Sequence, residues 1–136
     1  LALTSLINKT NILLINESEI IELTKSADIK TAAHKVLSMG PDKIIIKLGS
    51  KGAKCFSNNN EEISLGVYPV SKVVDPTGAG DVFGGGFISG MADGLSVYDS
   101  MRRGTALASF CIEDFGVKRL LNVNPDELEN RVHSIK

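Results

Sequence analysis

Asp75-Pro76-Thr77-Gly78-Ala79-Gly80-Asp81-Val82-Phe83-Gly84-Gly85-Gly86-Phe87 is the stretch whose reading decides the fold. Before it, Val70, Val73 and Val74 alternate as the end of a strand. After it, Val82, Phe83, Phe87, Ile88 and Met91 recur at helical spacing. The glycines therefore sit at a predicted strand-to-helix junction. Gly78 and Gly80 let the backbone bend and let a ligand come close, because no Cβ stands in the way. The first amides of the helix have no internal partner and lie at the positive end of its dipole. Such a junction is an anion site, and phosphate is its usual occupant. Asp81 falls in the first helical turn. A carboxylate there suits a helix cap. Beside a polyphosphate it is repelled unless it has a task, and taking a proton from a hydroxyl that attacks phosphorus is such a task.

With 136 residues the chain can build one modest core. Its 43% hydrophobic and 23% charged content is ordinary for a soluble globular protein. The net charge of −1 gives no footprint for nucleic acid or a membrane surface. No apolar run reaches membrane-spanning length and no secretory signal opens the chain. Cys55 and Cys111 lack metal-ligand spacing and read as buried free thiols of a cytoplasmic protein. The chain opens at Leu1, inside an apolar pattern, and reads as a fragment.

Leu3, Leu6 and Ile7 fit the last turns of a helix. Asn11 to Ile15 is a continuous apolar run, as in a strand buried on both faces. Ile20, Ile21 and Leu23 then take helical spacing, with Asn16 and Glu19 placed as a capping pair. Asp28 starts a helix with Ala32, Ala33, Val36, Leu37 and Met39 on its apolar face, stopped by Gly40-Pro41. His34 on that helix and His133 on the closing helix read as solvated. Lys43 to Leu48 is a strand rich in β-branched residues, turned by Gly49-Ser50-Lys51-Gly52 into a returning strand, Ala53 to Phe56. Ile63, Leu65 and Val67 alternate as one more strand. Beyond the opening stretch, Asp93-Gly94 stops the helix, and another is predicted over Val97 to Ile112 with Met101, Thr105, Ala108 and Ile112 on one face. Its Gly104, Ala106, Ala108 and Ser109 permit close helix packing. Asn124-Pro125-Asp126-Glu127 is an N-cap, a Pro at the first helical position and an acidic first turn. Strands and helices alternate around one hairpin, so the class is α/β with a mostly parallel sheet and helices on both faces. Ligands of such sheets sit beyond the carboxyl ends of the strands, where Asn16, Gly49 and Gly78 are expected to converge.

Asp75-Pro76-Thr77-Gly78-Ala79-Gly80-Asp81 with its glycine-rich helix resembles the second signature of the ribokinase-like, or PfkB-type, carbohydrate kinases. The resemblance covers nearly the whole chain in the correct motif order and implies the C-terminal part of a three-layer ribokinase-like fold. It implies Asp81 as the catalytic base and the amides of Gly78, Ala79 and Gly80 as the anion hole for the transferred phosphoryl group. The family's Asn-x-x-Glu motif, which helps organise Mg²⁺ and phosphates, matches Asn16 and Glu19, so a cap and a metal-organising pair both stand as readings. Its Thr-Leu-Gly-x-x-Gly turn against the nucleotide matches Leu48, Gly49 and Gly52. Lys47 replaces the commoner Thr, as a phosphate contact or a surface charge. Thr105 takes a position, often Asn, beside the adenine. Asp75 and Thr77, with the loop from Glu113 to Gly116, match a monovalent-cation (K⁺) site of many relatives.

The function implied is transfer of the γ-phosphate of ATP, with Mg²⁺, to a hydroxyl of a small sugar or nucleoside. Nothing resembles the family's N-terminal substrate-binding half and β lid, through which relatives often pair as homodimers. Residues 1–136 therefore read as one nucleotide-binding α/β portion, expected to be inactive and to self-associate when isolated. Two other readings are a nucleotide-binding fragment without catalysis and a dinucleotide-binding module. Against the latter, the third glycine of Gly78-Ala79-Gly80-Asp81-Val82-Phe83-Gly84 comes one residue late, and no acid-ended strand follows about 20 residues on.

Overall fold

The computed structural model describes residues 2–136. Leu1, on which the fragment expectation rests, lies outside them. The chain divides into two compact units, Leu1–Ser64 and Leu65–Lys136.

In the first unit, helix α1 (Ala2–Ile7) leads into strand β1 (Ile12–Asn16), followed by helices α2 (Glu17–Thr24) and α3 (Ile29–Leu37). Strands β2 (Lys43–Lys47), β3 (Ala53–Ser57) and β4 (Glu62–Leu65) complete a sheet in the order β1-β2-β3-β4. The sheet is mixed. β1 and β2 run parallel, with Ile12 opposite Lys43 and Asn16 opposite Lys47, while β2 and β3 form the antiparallel hairpin, with Lys47 opposite Ala53. Helix α3 starts where Asp28 Oδ1 accepts the Thr31 N–H at 2.9 Å. Its Ala32, Ala33, Val36 and Leu37 then meet Ile20 of α2, Ile44 and Ile46 of β2, and Phe56 of β3 in one core. Ile45, on the opposite side of β2, is also fully buried, so this strand is the apolar run that sheet burial demands.

Two strand expectations need correction. β1 is half-buried along its length rather than fully covered, because β2 is its one sheet neighbour among the described residues. Leu13 and Ile15 still pack on the core. The second correction concerns Val70 to Val74, which form no strand. Pro69 precedes the segment, and the N–H groups of Val74 (2.8 Å) and Asp75 (3.4 Å) go to the carbonyl of Ile112 instead of a ladder. Strand β4 likewise stops at Leu65, leaving Val67 exposed.

The second unit is built on helices α4 (Ala79–Ala92), α5 (Val97–Cys111) and α6 (Pro125–Ser134). α4 and α5 approach backbone to backbone. A Cβ on Gly86 would lie 2.8 Å from Gly104 Cα, one on Gly104 would lie 2.6 Å from Phe83 O, and one on Gly90 would lie 2.8 Å from Ser100 Cα. The buried face of α5 is thus wider than the expected one. It includes Gly104, Ser109 and Phe110 beside Met101 and Thr105, whereas Ala108 is half-buried. Asn124 Oδ1 caps α6 through the Glu127 N–H at 2.8 Å. The chain end is tied down by Gly66 N–H to Lys136 O at 2.7 Å and Arg102 Nε to Ile135 O at 3.1 Å.

Two alanine substitutions separate this contact from helix propensity. Gly104→Ala forces α4 and α5 apart and should lower stability by about 1–3 kcal/mol. Gly85→Ala points a methyl into open space on the same helix pair and should raise stability by up to about 1 kcal/mol. Denaturant midpoints of the two variants check the opposite signs.

Candidate functional site

The segment ahead of α4 is shaped by three local devices. Val74 and Asp75 hang from Ile112 O, the Thr77 N–H donates to Asp75 Oδ1 at 2.9 Å, and Gly78 takes φ 81° as the N-cap of α4. A residue with a Cβ is strained at that φ. A Cβ there would also meet no atom within 4 Å, so the space over the turn is open. Gly80 is an ordinary helical residue, and Gly78 alone makes the bend. Among the described residues the Gly78, Gly80 and Asp81 N–H groups have no hydrogen-bond partner, whereas Ala79 N–H donates to Pro76 O at 3.2 Å. The Asp81 carboxylate is exposed in the first turn of α4 and accepts no hydrogen bond among the described residues. It is therefore no capping-box partner. Uncommitted donors at a helix N-terminus can hold an anion, and an unpaired carboxylate beside them can accept a proton.

Asp75 is committed instead. The Thr77 backbone N–H, then its hydroxyl, hold the Asp75 carboxyl below the usual carboxylate range, with help from the Gly116 N–H. Cys111 reaches the same place, its thiol lying 3.7 Å from Thr77 O and 3.8 Å from Gly116 O. Burial, and secondarily the Asp75 charge, push the Cys111 thiol up; burial does the same to Cys55. Both cysteines are free and buried, as expected. The loop from Glu113 to Gly116 thus does adjoin Asp75 and Thr77.

In the first unit Asn16 and Glu19 form a complete capping box. Asn16 Oδ1 accepts the Glu19 N–H (2.8 Å) and the Ser18 hydroxyl (2.8 Å), and Glu19 Oε2 accepts the Asn16 N–H (3.0 Å). Lys47, opposite Asn16 in register, makes no ion pair among the described residues. Asn16, Lys47, Leu48 and Gly49 line an open depression of about 460 Å³ at the carboxyl ends of β1 and β2. Gly49 (φ 58°) and Gly52 (φ 92°) close the tight turn, with Leu48 N–H donated to Gly52 O at 2.8 Å. Asn16, Lys47 and Gly49 are thus brought together; Glu19 is fixed to Asn16, and Gly52 stands across the turn. Gly78, Ala79, Gly80, Asp81, Asp75, Thr77 and Thr105 belong to the second unit, where Thr105 is buried on α5.

The pattern of the pfkB family carbohydrate kinases matches residues 1–123. The chain belongs to this family. It is 40% identical to an uncharacterised sugar kinase of Archaeoglobus fulgidus over 114 residues, 83% of this chain and 44% of that protein. It is 34% identical to the ribokinase of Arabidopsis thaliana over 126 residues, 89% of this chain and 32% of that protein. The chain therefore spans under half the length of these curated relatives. Among solved structures, Arabidopsis thaliana ribokinase complexed with ribose and ATP superposes with a TM-score of 0.85 at 30% identity, over 95% of this chain and 43% of that one. A protein from E. coli described as a ribokinase II, in complex with ATP and Mg²⁺, superposes with a TM-score of 0.85 at 28% identity, over 98% of this chain and 42% of that one. The ribokinase-like α/β fold expected from the sequence is the fold of this pfkB-family chain.

One feature of the family chain lay outside the sequence expectations. Arg131 of α6 is buried, donates to Ser109 Oγ at 3.0 Å, and pairs with Glu113 through both terminal nitrogens (3.1 and 3.4 Å). Its Cζ lies 3.5 Å from the Phe110 ring centroid and 4.1 Å from that of Tyr68. The sequence signal was slight, a Glu127–Arg131 pair at helical spacing that reads as a solvated face. Among the described residues no helix is long and apolar enough to cross a membrane, and no cluster of three or more His, Cys, Asp or Glu could hold a metal ion.

The cysteines give a direct check of this description. At neutral pH a raised thiol stays protonated, and burial excludes reagent. Iodoacetamide should label neither Cys55 nor Cys111 in the folded protein and both in denaturant. Fast labelling of native Cys111 would contradict the packing around Thr77.

Proposed function

We propose that this chain carries the nucleotide end of an ATP-dependent phosphotransferase acting on a hydroxyl of a small sugar or nucleoside. The observation that carries the reading is the Asp81 carboxylate in the first turn of α4, without a partner among the described residues, beside the N–H groups of Gly78 and Gly80, which also lack one among them. In this reading Asp81 takes the proton as the acceptor oxygen bonds to the γ-phosphorus and the bond to the bridging oxygen of ADP breaks. The amides of Gly78 and Gly80, joined by that of Ala79 once it leaves Pro76 O, hold the charge that builds on the phosphoryl oxygens. Lys47, Gly49 and Gly52 flank the nucleotide, and Thr105 is assigned to its base. The ATP and Mg²⁺ of the relatives named above support this assignment by likeness.

Asn16 and Glu19 suit Mg²⁺ in a limited way. They bring one carboxylate and one amide, fixed by the capping box, and Mg²⁺ is commonly held by one or two carboxylates with phosphates and water making up the shell. Mg²⁺ would neutralise phosphate charge there. Asp75 and Thr77 are assigned to a monovalent cation such as K⁺. No residue of 1–136 is assigned to the acceptor.

Asp81→Asn in the full-length protein should keep ATP affinity and lose turnover by about 10²–10⁴-fold. Near-normal kcat would leave a nucleotide-binding protein in which Asp81 is not the base. Glu19→Gln keeps a capping partner and removes the charge. It should raise the Mg²⁺ concentration needed for half-maximal rate, whereas a pure cap would leave that dependence where it was.

A further inference from the structure

We propose that Arg131 is a positioning residue for the segment from Val74 to Asp81, acting through Glu113 and the last turn of α5. The inference rests on the reading of that segment as the phosphoryl-transfer motif. Its chain of contacts lies wholly in the second unit. Arg131 grips Glu113 with both terminal nitrogens and Ser109 with one, so it spans the final turn of α5. Between those two residues sit Cys111, whose thiol meets Thr77 O, and Ile112, whose carbonyl takes the Val74 and Asp75 N–H groups. A shift of this turn therefore moves three points of the motif's leading strand of chain at once.

The cost of the arrangement argues against a casual contact. The Arg131 side chain is 8% exposed and Glu113 23%, and burying such charges costs more than a hydrophobic pair of similar volume would. Surface ion pairs contribute little, yet this one is bidentate, stacked on Phe110 and set where a cation meets the negative end of the α5 dipole. Planar, two-pronged recognition fixes orientation as well as distance. Orientation is what a donor set aimed at a transferring phosphoryl group requires, since small misplacements there cost large factors in rate. Arg119, which approaches Glu113 at 3.4 Å and also pairs with Glu127, braces the carboxylate from the solvent side.

The test uses the full-length protein and three conservative variants. Glu113→Gln removes the charge that Arg131 grips. Glu129→Gln removes an exposed charge from the helix of Arg131, one with no ion pair among the described residues. Amide exchange over residues 74–80 should accelerate about tenfold in Glu113→Gln and stay at the wild-type rate in Glu129→Gln, at matched global stability. Phosphotransfer should show kcat lowered about tenfold or more by Glu113→Gln with KM for ATP within about twofold, and unchanged constants for Glu129→Gln. Glu113→Asp, which keeps the carboxylate, should recover part of the loss. Equal exchange in Glu113→Gln and Glu129→Gln, or an unmoved kcat in Glu113→Gln, overturns the proposal. A wild-type protein that transfers no phosphate to sugars or nucleosides, while exchange still responds to Glu113→Gln, defeats the kinase reading and leaves the coupling standing.

Discussion

The second unit depends on the absence of side chains between α4 and α5. At Gly86, Gly90 and Gly104 the two backbones come so close that a single Cβ would lie within 2.8 Å of the opposing helix. Contact at this range removes slack, because packed backbones have no rotamers with which to adjust. The N-terminus of α4 is thereby set relative to the C-terminus of α5. What is proposed for the segment from Val74 to Asp81 follows from that relation, since this segment hangs from Ile112 at the end of α5.

Polar groups then complete what packing begins. The turn from Asp75 to Gly78 holds together with one backbone-to-carboxylate hydrogen bond and one glycine at positive φ. Neither would fix the turn in isolation. The α5 turn, clamped by Arg131, gives it a wall. The division of labour among the carboxylates is plain in their partners: Asp75 is spent on structure, whereas Asp81 in the next turn is left without a partner among the described residues.

In the first unit the pair of residues that starts a helix is also the pair to which we assign Mg²⁺. Asn16 and Glu19 satisfy each other's backbone N–H and start α2 at the carboxyl end of β1. That geometry holds Asn16 at the rim of the depression it shares with Lys47 and Gly49, with Glu19 bonded to the Asn16 N–H. A cap and a metal-organising pair are compatible, because a carboxylate that accepts one hydrogen bond keeps further lone pairs.

The sequence by itself determined the elements whose signals are local. Asp28, Asn124 and Pro125 marked helix starts, Lys43 to Phe56 marked the hairpin, and the Asp75–Asp81 pattern with Asn16 and Glu19 marked the family. Each of these is written in neighbouring residues through caps, periodicity or glycine conformation. Only the tertiary structure decided the fate of Val70 to Val74, because an apolar alternation becomes a strand only when a ladder partner is offered, and here Ile112 takes the N–H groups. It decided that Gly78 makes the bend while Gly80 is helical, since φ is set by how the chain enters α4. It also decided that Arg131, an arginine on a polar helix, is buried. That outcome depends on Tyr68, Phe110 and Glu113, residues 18 or more positions away, and no local pattern can report a partner that distant.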